Sequence, residues 1–163
     1  MLKKFLYIVS FCVLFVVTGA NANDLSLHYT KETESLVRKM KVYKTPAWVC
    51  KITTKDLKDF YFVGPKSMFE FYFNPKKFKK AKLENNSGIK EIIVTDYFTL
   101  KPIRGEQAYY VYGANEISLA GDDLPAFRSY SDAKKFAKKH NGKRIFKFFE
   151  VKKALIELLN NDV

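Results

Sequence analysis

Two stretches of this chain repeat one order of hydrophobic periodicities, and neither is long enough to close a core by itself. In the first, Trp48, Cys50 and Ile52 alternate along Ala47 to Thr53, a turn follows at Thr54 to Leu57, and Phe60-Tyr61-Phe62-Val63 makes a second apolar run. A period of two marks strands, so the pair reads as a hairpin. Gly64-Pro65 then opens a helix that carries Met68, Phe71 and Tyr72 on one face, until Asn74-Pro75 interrupts it. The β-branched run Ile89 to Thr95 is a third strand. In the second stretch, Ala108 to Tyr112 is a strand ended by Gly113, and Leu124 to Arg128 is a shorter one. Ser131-Asp132 caps a helix with Ala133, Phe136, Ala137 and His140 on its apolar face, Asn141-Gly142 ends it, and Arg144 to Phe149 is a strand. Val151, Ala154, Leu155, Leu158 and Leu159 mark an amphipathic terminal helix. The pattern predicts an α+β fold of two similar ββαβ units, residues 41–98 and 99–163, the second carrying the terminal helix. Units this small expose too much apolar surface alone, so the two are expected to pack together.

The first 22 residues fall outside that pattern. Met1-Leu2-Lys3-Lys4 is a short basic start, Phe5 to Val17 is an apolar run broken by Ser10, and Ala20-Asn21-Ala22 is a small-x-small cleavage pattern. The apolar run has 13 residues, short of the roughly 20 a spanning helix needs. These features predict a secretory signal peptide over residues 1–22 and an exported, periplasmic protein. Cleavage leaves one cysteine, Cys50, and so no internal disulfide. Residues 23–40 read as a polar, loosely structured leader with a helical turn over Glu32 to Met40.

The formal charge is +12, and 25 of the 29 basic residues are lysine. Nucleic-acid readers lean on the bidentate arginine fork, and an exported chain meets little nucleic acid, so that partner class is set aside. The run Lys76-Lys77-Phe78-Lys79-Lys80-Ala81-Lys82 reads either as a solvated face over Phe78 or as an attractor for an anionic membrane surface or an acidic partner. There is no glycine-rich phosphate loop, nucleophile elbow, His-Glu-x-x-His or paired-cysteine motif, so the sequence does not point to an enzyme. His28 lies in the leader, His140 at a helix C-terminus where the dipole favours a cation, and Asp122-Asp123 reads as a solvated turn.

Three blocks resemble the NosL family of nitrous oxide reductase accessory proteins: Met40 to Val49; Tyr61-Phe62-Val63-Gly64-Pro65-Lys66-Ser67-Met68-Phe69-Glu70-Phe71-Tyr72; and the run from Val94-Thr95-Asp96-Tyr97 through Ala108-Tyr109-Tyr110-Val111-Tyr112-Gly113, Leu124-Pro125-Ala126-Phe127 and Asp132-Ala133-Lys134-Lys135-Phe136 to Asn141-Gly142-Lys143. The resemblance spans Arg38 to Val151 and implies two similar ββαβ units. It also implies copper(I) handling outside the cytoplasm, with a copper enzyme or a membrane transport partner as client. Where the family carries Cys-Gly-Met, this chain has Arg38-Lys39-Met40; where it carries a Met-Gly-His-like stretch, this chain has Leu119-Ala120-Gly121. Met40 and Cys50 are the candidate metal ligands. Met40 reads either as a thioether donor or as the end of an apolar leader, and Cys50 either as a stand-in thiolate or as a core residue beside Trp48 and Ile52. A metal-free interaction module on the same scaffold is the alternative function.

Intact-mass measurement of protein recovered from the periplasm tests the processing. The expected mass corresponds to a chain starting at Asn23, and a chain retaining Met1 or Leu2 refutes the signal peptide.

Overall fold

The computed structural model describes residues 25–119, 121 and 124–161. The signal peptide, its cleavage site and the Asp122-Asp123 pair lie outside the described residues. Strand β1 (Cys50–Thr54) and β2 (Asp59–Phe62) form the expected hairpin, helix α1 (Pro65–Phe73) follows, and β3 (Ile89–Thr95) returns to the sheet. A short strand β4 (Pro102–Arg104) comes next, then β5 (Tyr109–Tyr112), β6 (Ala126–Phe127), helix α2 (Tyr130–Lys139), β7 (Arg144–Lys147) and helix α3 (Lys153–Leu159). The first sheet has the order β2-β1-β3-β4 and the second β6-β5-β7, with every pairing antiparallel. Each unit therefore puts its first strand in the middle, flanked by its hairpin partner and by the strand that returns after the helix. This is the repeated ββαβ order read from the periodicity.

Several boundaries move. β4 pairs with β3 through Val94 and Ile103, so the first sheet runs past residue 98, where the sequence reading ended the first unit. Trp48 leaves the strand, because its N–H donates to the Thr45 carbonyl in a turn behind Pro46 (2.9 Å). Its ring meets Tyr97 edge-on at 5.5 Å instead of sharing the Cys50 face. The cap of helix α2 lies two residues before the predicted one. Ser129 is the N-cap, and its hydroxyl accepts the Asp132 N–H at 3.0 Å. In α3 the buried residue is Ile156, with Leu155 and Leu159 packed beside it, whereas Leu158 is exposed and Ala154 faces solvent. Packing against α1 sets that phase, which a seven-residue helix cannot set by periodicity.

The leader is the largest correction. Ser35 and Leu36 are buried, the Leu36 N–H donates to the Tyr61 carbonyl (2.8 Å), and Glu34 bridges to Lys41. Residues 33–42 therefore extend the edge of the first sheet beside β2 and form no helix. Once β2 offers free carbonyls on its outer side, pairing with them satisfies more backbone than one isolated helical turn could.

The two units share one apolar core. The Phe69 ring of α1 lies 5.1 Å from Tyr110 of β5 and 5.0 Å from Phe148, and Phe62, Phe71 and Ile156 complete the cluster. Tyr110 is fully buried, its hydroxyl donates to the Gly105 carbonyl at 2.7 Å, and burial pushes its phenol well above the ordinary tyrosine range. A second cluster of Val111, Phe127, Ala133 and Phe136 lies beneath α2.

One buried carboxylate ties the sheets. Asp96 accepts the Thr99 N–H and hydroxyl, each at 2.8 Å, and the Arg128 N–H just after β6 at 2.6 Å. The adjacent Tyr97 N–H donates to the Ala126 carbonyl at 2.9 Å. Asp96→Ala leaves buried donors unpaired on both sides of the joint and is expected to cost about 2–3 kcal/mol in urea unfolding. A change under about 0.5 kcal/mol, the scale of an ordinary surface substitution, would show that the joint does not depend on it.

Candidate functional site

Met40 sits at the end of a tight reversal. Lys39 adopts a left-handed conformation (φ 56°), and the Ser35 N–H donates to the Met40 carbonyl at 2.8 Å. The Met40 side chain is half-buried against Val42, Val49 and Val63, in a small cluster that also takes in Leu27, Tyr29 and Tyr61. Cys50 is fully buried in the shared core, opposite Phe62 and Val94, with its thiol donating to the Trp48 carbonyl at 3.3 Å. Val49 and Cys50 are neighbours in extended chain and so point to opposite faces. Val49 belongs to the Met40 cluster and Cys50 to the core, so the structure does not bring the two sequence candidates together. Cys50 has the surroundings of a small core hydrophobe.

Arg38 is engaged. Its guanidinium donates to the Asn160 side-chain oxygen at 3.2 Å and lies 3.4 Å from the Glu70 carboxylate. Asn160 in turn donates to Glu70 at 3.1 Å, and Lys77 approaches the other carboxylate oxygen at 3.6 Å. Arg38 thus joins the N-terminal segment to α1 and to the end of α3. Leu119 is 78% exposed. Its loop is held from below by Lys66, a buried residue in the first turn of α1 whose ammonium donates to the Gly121 carbonyl at 3.1 Å. The Met40 cluster includes Val63, just ahead of α1, so both stretches that resemble the family's ligand loops are tied to Val63–Lys66.

Sequence reasoning passed over His28. Its imidazole is exposed, while Leu27 and Tyr29 on either side pack in the Met40 cluster and the Tyr61 hydroxyl donates to its carbonyl. No local pattern announces this, because the placement depends on the N-terminal segment crossing the sheet. His140 does end α2 as expected, stacked on Phe136 at 4.3 Å with Nδ1 at 3.7 Å from Glu116. Among the described residues no group of three or more His, Cys, Asp and Glu could hold a metal ion. Among the described residues, the Met40 thioether is half-buried and the exposed His28 imidazole borders the same cluster.

The comparisons agree with this geometry. The crystal structure of the copper chaperone NosL from Shewanella denitrificans superposes with a TM-score of 0.69 at 20% identity, covering 80% of this chain and 98% of that one. No curated protein matches the sequence. The NosL family model matches residues 26–156, which take in both sheets, α1, α2 and the Met40 turn. The chain belongs to the NosL family.

Proposed function

We propose that this protein is an exported accessory protein that handles copper(I) for a copper enzyme of the nitrous oxide reductase type, and that the Met40 thioether is the group that meets the metal. Membership of the NosL family over nearly all the described chain carries the reading. Two features set the affinity. A thioether is neutral, so Met40 supplies no charge compensation for the ion, and Arg38 stands where a thiolate would do so. Lys39 adds positive charge beside the donor, screened by solvent, whereas the Lys41 ammonium is answered by Glu32 and Glu34. The protein therefore holds copper(I) loosely and passes it on readily. A metal-free interaction module is the second reading, favoured by the engagement of Arg38 with Glu70 and Asn160.

Anaerobic copper(I) titration against a competing chelator separates the two. The expected outcome is weak binding by the parent, lost in Met40→Ala, reduced in His28→Ala and unchanged in Cys50→Ala. Failure of the parent to bind at any accessible free copper(I) concentration selects the metal-free module. Binding unaffected by Met40→Ala places the donor elsewhere. Arg38→Cys with Leu119→Met is expected to raise affinity far more than either change alone, and Arg38→Cys to lower Tm because Glu70 and Asn160 lose their cation.

Cys50 supplies an independent check. In the native protein it is expected to react slowly with a bulky thiol reagent and rapidly in denaturant. Cys50→Ala is expected to cost roughly 1 kcal/mol through lost packing. Fast native labelling would contradict its burial.

A further inference from the structure

The basic run picked out in the sequence is partly answered within the fold. Lys76 pairs with Glu84 at 2.7 Å, Lys77 approaches Glu70, and Phe78 tucks against Phe71 at 5.6 Å. A stronger concentration lies elsewhere. Between Tyr130 and Lys153 there are nine lysines and arginines, all exposed, and two acids. Asp132 accepts from the Ser129 hydroxyl (2.8 Å) in the cap of α2 and pairs with Lys135 (3.3 Å), Glu150 accepts the Lys147 N–H (2.7 Å), and Lys153 pairs with Glu157 (3.1 Å), which leaves most of the cations of the stretch without an acidic partner inside it.

β7 lies inside this stretch and is an edge strand of the second sheet; among the described residues no strand pairs with its outer side. The Lys147 N–H, taken by Glu150, faces away from β5, so by antiparallel alternation the N–H and C=O of Ile145 also face outward. Along the same edge runs an open groove of about 400 Å³, floored by Phe146 and Leu155 and walled by Arg144, Phe149, Lys152 and Glu150, the last with a carboxylate oxygen held by the Lys147 N–H. Phe149 is 67% exposed, and the Arg144 guanidinium is held over the Phe146 ring at 4.7 Å. An apolar trough beside a free strand edge suits an extended segment whose alternate side chains fill it. Lysine and arginine on an edge deter apolar or basic strands from pairing there, and the same charges attract an acidic one. A flat lipid surface has neither a strand to offer Ile145 nor side chains for the groove.

We propose that the β7 edge is a docking site for an extended acidic segment of a partner protein, which pairs with Ile145 and places alternate apolar side chains in the groove between Phe146, Phe149 and Leu155. Acidic side chains on the segment face Arg144, Lys147 and Lys152. Docking here is independent of copper and can be followed on the metal-free protein.

The probe is a short acetylated peptide alternating glutamate with valine or leucine, titrated by fluorescence anisotropy and by amide chemical shifts. The expected result is binding that strengthens at low salt, with shifts centred on Ile145, Arg144 and Phe149. Arg144→Glu with Lys152→Glu, both exposed and compatible with folding, is expected to weaken it by about tenfold or more. A peptide N-methylated opposite Ile145, and a peptide with lysine in place of glutamate, are expected to bind far more weakly. Equal binding by the charge-reversed variant, or no effect of N-methylation, overturns the proposal. So does sedimentation with anionic phospholipid vesicles that depends on Arg144 and Lys152 when the peptide does not bind.

Discussion

The turn after β3 carries the buried polar joint between the two units. A carboxylate taken out of water is costly unless donors surround it, and Asp96 has the Thr99 N–H, the Thr99 hydroxyl and the Arg128 N–H. Two of those donors close the turn toward β4, and the third comes from the chain just beyond β6. With Tyr97 bonded to Ala126, the end of the first sheet is locked to the edge of the second. That lock brings Phe69 of α1 against Tyr110 and Phe148. Without it, each unit would expose the face that now forms the common core.

The same joint leaves the opposite side of the first sheet to the N-terminal segment. That segment crosses beside β2, supplies Leu27 and Tyr29 to a small cluster, and ends its reversal at Met40. The donor residue is thus mounted on a segment anchored at both ends. One anchor is backbone pairing with Tyr61, and the other is the Arg38 contact with Glu70 and Asn160. The guanidinium strengthens the attachment of the segment to the rest of the fold.

Charge is distributed with the same asymmetry. The first unit answers many of its lysines internally, as with Lys76 and Glu84 or Lys51 and Asp59. The second unit leaves most lysines of α2 and β7 facing solvent, with Asp132 paired to Lys135 and Glu150 capping a helical turn. A net charge arranged this way makes one end of the molecule the attractive one for acidic partners.

Local periodicity was enough to place nine of the ten strands and α-helices within a few residues of where they lie, β4 being the exception. Alternation over four to seven residues, and proline at the head of α1, are properties of the chain itself. The repeat of ββαβ was legible for the same reason. What local pattern could not show was decided by partners distant in sequence. β4 is three residues long, has proline at its first position, and exists because β3 offers it a ladder. The phase of α3 follows from Ile156 reaching α1, and the leader is ordered only because β2 has an open edge. The candidate site divides the same way. That a methionine stands at position 40 beside three basic residues was legible in the sequence. That Cys50 belongs to the opposite face, that Arg38 is already engaged, and that His28 borders the Met40 cluster are facts of tertiary structure, because each rests on contacts between segments far apart along the chain.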